Sequence, residues 1–294
     1  MRPWPQAGPR TVVTGATGAV GRHVARGLAA AGGHPDGVRL LVRDLDKAAR
    51  TGLPGRPVDC DHDDRAGLER ALAGADSVLV VTANPLRPQH DENILAAARA
   101  GGVRRAVKLS WLAVTDPGAD DLITRWNRDC EALLRASMPQ WTVLRMRSLM
   151  SNTLSWAASI REESVVRALG GDAPTASVDP RDVAAAAIRA LTGPGHAGRA
   201  YAVTGPGPIT AREQTAQLAR VLGKPLGYEE LTPDQALGLW RARFPEPVAR
   251  ALLEGAERRA AGGAAGVEGD LEAVTGRAPR PFASWAADHT DHFR

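Results

Sequence analysis

The stretch Thr11-Val12-Val13-Thr14-Gly15-Ala16-Thr17-Gly18-Ala19-Val20-Gly21 constrains this chain more than any other. A short apolar run leads into three glycines at G-x-x-G-x-x-G spacing, and Val20, Val24 and Leu28 then recur once per helical turn. That order of signals predicts a strand, a tight turn and a helix start. Gly15 permits the turn, Gly18 lets the backbone approach a diphosphate, and Gly21 lets the helix lie against the strand. N–H groups at the helix start favour an anion. The turn therefore predicts a dinucleotide site, with Gly15, Thr17, Gly18, Ala19 and Val20 around the pyrophosphate.

Strand and helix signals alternate beyond it. Strands are predicted at Val38–Val42, Ser77–Val81, Ala106–Leu109 and Thr142–Leu144, with helices over Arg65–Ala73, Asp91–Ala100 and Asp120–Ala136 between them. Such repetition specifies right-handed crossovers and an α/β fold, a doubly wound parallel Rossmann-type sheet over residues 11–150. Residues 151–294 read as a smaller, mostly helical substrate lobe. It holds one more strand signal at Ala200–Val203, and Thr210–Glu213 and Thr232–Gln235 both have the capping-box pattern. The small, glycine-rich stretch Ala260–Gly266 reads as a mobile loop, and residues 1–10, with Trp4 and three prolines, as a loose leader outside the fold.

Composition removes several function classes. The net charge of +4 comes from scattered arginines, whereas a nucleic-acid face needs them clustered. No apolar run approaches the ~20 residues that span a bilayer. Cys60 and Cys130 cannot build a disulfide framework, which fits the cytoplasm. His289 and His292 lack a carboxylate or thiol arranged around them, so no metal is expected. Asp179-Pro180-Arg181-Asp182 reads as a turn into a helix with Asp179 as its N-cap.

The second strand ends in Arg43, where an NAD site usually places an acid for the ribose hydroxyls. A guanidinium suits a 2′-phosphate, so the cofactor is expected to be NADPH/NADP, with Lys47 adding charge. Asp44 comes one residue late and points to the other side. The Tyr-x-x-x-Lys pair of most short-chain dehydrogenases is absent. Tyr201 is followed four residues on by Gly205, and Tyr228 by Thr232. Ordinary alcohol dehydrogenase chemistry is thereby disfavoured.

The glycine run resembles the fingerprint of the NmrA-like, atypical short-chain dehydrogenase/reductase family. The likeness continues through Leu41-Val42-Arg43-Asp44, Asp61-His62-Asp63-Asp64, Ala106-Val107-Lys108-Leu109-Ser110, Glu131–Ser137, Trp141–Arg145, Val178–Val183 and Thr275–Phe282. That family includes NADPH-dependent quinone and triphenylmethane-dye reductases, and a fungal regulator that binds cofactor without reducing anything. The resemblance implies that about 176–205 returns to the sheet. It implies that Asp61 and His62 hold the adenine, although His62 reads equally as a surface-loop histidine. Thr82, Ala83 and Asn84, after the fourth strand, would pass near the ribose. Asn127 falls at the family's catalytic position, where others carry lysine or histidine. An amide orients a substrate oxygen but exchanges no proton at neutral pH, and a helix-surface role stays open.

Trp111, Trp126 and Trp156, with Met146, Leu149 and Met150, would line a flat apolar pocket or belong to the core. Ser110 lies where relatives face the substrate, though without a tyrosine partner it also reads as structural. Arg147-Ser148 follows the sixth strand at the substrate edge, where Arg147 anchors a carbonyl or carboxylate or pairs with an acid. The implied activity is NADPH-dependent hydride transfer to a quinone-like or conjugated aromatic small molecule by a monomer or homodimer. Two alternatives stay open: a non-catalytic NADP(H) sensor acting through a protein partner, and a tailoring enzyme of small-molecule biosynthesis.

Overall fold

Continuous apolar runs are what a parallel sheet covered on both faces requires, and here they become its central strands. The computed structural model describes Trp4 and residues 9–31, 35–262 and 266–294. In chain order the first elements are β1 (Thr11–Val13), α1 (Gly21–Ala30), β2 (Val38–Val42), α2 (Leu45–Arg50), β3 (Arg56–Asp59), α3 (Arg65–Leu72) and β4 (Ser77–Val80). Then come α4 (Gln89–Ala100), β5 (Arg105–Trp111), α5 (Leu122–Ser137), β6 (Gln140–Met146), α6 (Ala157–Glu163), β7 (Val165–Ala168), α7 (Pro180–Thr192) and β8 (Arg199–Val203). The chain finishes with α8 (Ala211–Leu222), β9 (Gly227–Glu230), α9 (Pro233–Arg241), α10 (Glu246–Ala260), α11 (Asp270–Thr275) and α12 (Phe282–Ala287).

Seven strands form one sheet in the order β3-β2-β1-β4-β5-β6-β8. The pairs β1–β2, β1–β4, β2–β3 and β4–β5 are parallel. Gly198 N–H bonds Trp141 O and Arg147 N–H bonds Val203 O, so β6 and β8 also run the same way. The strand order reverses between β1 and β4, and open α/β sheets bind ligands at the carboxyl ends beside that switch. Val12, Val78, Val80, Leu68, Leu72, Ile94 and Leu95 are buried in one core under this sheet.

The chain divides into two units. The first comprises Met1–Trp111, Trp126–Arg145 and Pro180–Ala202, and so includes α7 and nearly all of β8. The second comprises Leu112–Arg125, Met146–Asp179 and Val203–Arg294. Its core gathers Met150, Ile160, Val166, Leu218, Phe282, Trp285 and Phe293. Trp285 stacks on Phe282 and on His289, whose Nδ1 also contacts Trp285 O at 2.7 Å, so His289 belongs to this core edge. Both predicted capping boxes are present, at Thr210 and Thr232.

The short strand β3, implied where Thr82 is counted after the fourth strand, holds Pro57, which an edge position tolerates. Two features depart from the sequence reading. The parallel pair β7–β9 is carried by the half-polar segments VVRA and GYEE, which show no apolar alternation. The leader is not loose where it is described. The Trp4 indole N–H donates to Ala73 O at 2.8 Å, the Arg39 guanidinium lies 3.6 Å from its ring centroid, and Arg10 pairs with Asp76 at 2.9 Å. Residues 1–3 and 5–8 of that leader, and 263–265 of the Ala260–Gly266 stretch, lie outside the described residues.

Candidate functional site

The turn after β1 has the form its glycines predict. Gly15 has φ +59°, and a Cβ there would meet Val81 Cβ at 3.0 Å. A Cβ on Gly21 would come within 2.2 Å of Gly15 O, so only glycine lets α1 start this close to the turn. Gly18 is exposed, and a Cβ there would meet only Gly15 O at 3.1 Å. Thr14 clamps the turn to β4, accepting Val81 N–H at 2.7 Å and sharing its hydroxyl proton with Leu79 O and Val81 O. The N-cap position of α1 supplies no side-chain bond, and no acid occupies the first turn. The Ala19 and Val20 amides meet no acceptor among the described residues. Such a cradle fits a diphosphate. Val20 contributes only its backbone, because its side chain is in the core.

Next to the cradle, Arg22 Nε is buried with no hydrogen-bond partner among the described residues. Sequence reasoning passed over Arg22. Its signal was a lone cation at the second position of a helix that begins on an anion cradle.

At the end of β2, Arg43 and Lys47 are exposed. Asp44 is already engaged: it caps α2 and accepts Lys47 N–H at 2.8 Å. Asp61 is exposed, and its carboxyl is held below the usual range, first by the Asp63 N–H bond and also by the charges of His90, His62 and Arg43. Burial pushes His62 below its ordinary value, with His90 adding to the effect, so the ring is neutral at pH 7. Arg43, Asp61 and His62 thus come close enough to act on one another. Asp61, Asp63 and His90 also bring ligand atoms within 4.8 Å. Asp63, however, faces Arg87 at 3.2 Å and His90 at 3.3 Å, the latter without hydrogen-bond geometry.

Thr82 follows β4 half-buried, and Ala83 and Asn84 are exposed. Two substrate expectations fail on burial. Ser110 is 2% exposed and donates to Glu131 Oε1 at 2.7 Å, while Arg145 and Arg135 hold the other carboxylate oxygen, each at 2.7 Å. Its hydroxyl is spent on a buried ion network. Trp126 is 8% exposed and packs over the Lys108 ammonium, 5.4 Å from the ring centroid, so it is core. Asn127 is buried as well, not on the helix surface. Trp111 remains half-buried in the first unit. Met146, Arg147 and Ser148 belong to the second unit and are half-buried. Burial lowers the Arg147 guanidinium from its ordinary value, partly offset by Glu268.

Residues 15–194 match the NAD(P)H-binding family. The (4-alkanoyl-5-oxo-2,5-dihydrofuran-3-yl)methyl phosphate reductase of Streptomyces griseus is 54% identical, covering 96% of this chain and 98% of that protein. The NAD(P)H azoreductase of Xenophilus azovorans is 33% identical, covering 96% and 98%. Among solved structures, the NADPH-dependent quinone oxidoreductase of Escherichia coli, complexed with NADPH, superposes with a TM-score of 0.81 at 26% identity, covering 95% and 99%. No helix among the described residues is long and apolar enough to cross a membrane.

Proposed function

This chain belongs to the NAD(P)H-binding family, in its NmrA-like branch of atypical short-chain dehydrogenases/reductases, and from that premise we propose that it reduces the conjugated double bond of a phosphorylated oxo-dihydrofuran. The Streptomyces relative carries this reading, since it matches nearly end to end and the substrate in its name is of that class. In such a ring the double bond between the 3 and 4 positions is conjugated to the ring carbonyl and to the alkanoyl carbonyl. A reduced nicotinamide supplies a hydride when bound. The two carbonyls spread the resulting charge, so water suffices as proton source and the missing Tyr-x-x-x-Lys pair is no handicap. Quinones and aromatic dyes are activated by the same conjugation and are expected as secondary acceptors.

The chain's own part is binding and orientation. Gly15, Thr17, Gly18, Ala19 and Val20 frame the pyrophosphate, with the Ala19 and Val20 amides as its donors, joined by Arg22, whose buried Nε awaits an acceptor. Arg43 and Lys47 hold the 2′-phosphate, Asp61 and His62 the adenine, and Thr82, Ala83 and Asn84 the ribose. Within the second unit Met146 and Ser148 flank Arg147, which takes the substrate phosphate through a charge-assisted pair. The test supplies NADPH with the synthetic butenolide phosphate, its dephosphorylated alcohol and a quinone, and follows products by mass spectrometry. Gain of two hydrogens by the phosphate ester, preferred over the alcohol, is expected. Turnover of the quinone alone overturns the substrate assignment, and no turnover at all overturns the reductase.

A further inference from the structure

Two polar stations lie on one face of β5, a strand whose middle is buried throughout. Side chains two residues apart share a face. Ser110 serves Glu131; Lys108 is the other station. Its ammonium lies 2.8 Å from Asp91 Oδ1, and both side chains are 0% exposed. A buried ion pair is poorly compensated unless further hydrogen bonds complete it. Here Asp91 Oδ1 receives the cation's charge without an aligned hydrogen bond. The aligned bond is made at Oδ2, to which the Thr82 hydroxyl donates at 2.8 Å. That same hydroxyl accepts from Lys108 Nζ at 3.3 Å. Lys108, Asp91 and Thr82 therefore close a three-membered polar ring.

The ring joins three segments: the middle of β5, the first turn of α4 and the residue that leaves β4. A carboxylate in the first turn of α4 is favoured by the helix dipole. Sheet packing alone does not call for charge here, because aliphatic side chains of similar volume fill such a space at least as well. Of the three members only Thr82 lies outside regular structure. Beyond it Asn84 shapes the same loop, its Oδ1 accepting Leu86 N–H at 3.1 Å.

We infer that Lys108 and Asp91 are positioning residues whose buried pair fixes Thr82 and thereby presents the 82–84 loop to the cofactor. The inference rests on the proposed placement of that loop at the ribose. Its test begins with the NADPH Kd of the wild-type chain by fluorescence titration. The double variant Lys108→Met/Asp91→Leu keeps the volume apolar and is expected to fold with an undiminished Tm. Its NADPH Kd is expected to rise about tenfold, with the loss falling on the KM for NADPH and not on kcat. Thr82→Val, which keeps the shape and removes the hydroxyl, should shift Kd in the same direction. Added to the double variant it should cost little more, the non-additivity expected of one coupled unit. A folded double variant with wild-type Kd contradicts the inference. So does wild-type Kd in Thr82→Val, which decides the matter if the double variant does not fold. Failure of the wild-type chain to bind NADPH strikes first at the cofactor reading itself.

Discussion

Arg43 stands exposed at the end of β2, and the acid beside it is already engaged in capping α2. With Asp44 Oδ1 accepting Lys47 N–H, the proposed site leaves Arg43 to meet whatever the 2′ position carries. Arg43→Ala is expected to raise the KM for NADPH about tenfold or more, the worth of one or two charge-assisted hydrogen bonds. The KM for NADH should stay within twofold, so steady-state rates with both cofactors check the assignment. The place of Arg43 just after β2 was legible because a strand end is visible in the sequence. Ser110 and Trp126 were not. Whether a polar or aromatic side chain faces a ligand or the core depends on partners such as Glu131 and Lys108, which lie 21 and 18 positions away from them in the chain.

At the scale of elements, the turn between β1 and α1 separates two kinds of glycine. A Cβ at Gly21 collides with backbone at 2.2 Å, whereas at Gly18 it meets one oxygen at 3.1 Å in otherwise open space. Gly21→Ala is expected to cost about 3 kcal/mol of stability by overpacking. Gly18→Ala should cost no more than ~0.5 kcal/mol, as at an exposed site, and yet weaken NADPH binding. Urea unfolding paired with cofactor titration reads both. Helix α5 carries a second test. Burial pushes the Glu131 carboxyl up, but bonds from Arg145 and Ser110 and the charges of Arg145 and Arg135 outweigh it, so it sits below its ordinary value. A carboxyl depressed on folding stabilises the native state above its unfolded pKa, and that share is lost as pH falls through the folded value. Glu131→Gln is expected to lose about 3 kcal/mol at pH 7, with the gap to wild type narrowing in unfolding curves taken below about pH 4.

For the molecule as a whole, the parallel α/β class was readable because strand signals such as Thr11–Val13 and Ser77–Val80 alternate with helical patterns. The division into units was not. The second unit draws on Leu112–Arg125 and Met146–Asp179, and neither segment is set off by a linker or a change of composition. The pair β7–β9 joins segments about sixty positions apart that carry no alternation of their own. Function divides in the same way. The cofactor class was legible in local motifs, while the sequence left the substrate open.

The central claim is hydride delivery from NADPH to a conjugated ring carbon, and transfer of deuterium tests it most directly. With NADPH deuterated at the reactive nicotinamide position and the butenolide phosphate as acceptor, the product is expected to carry one deuterium at the ring carbon bearing the phosphomethyl arm. Deuterium at the former alkanoyl carbonyl carbon, or a reduced product without deuterium, would contradict the account.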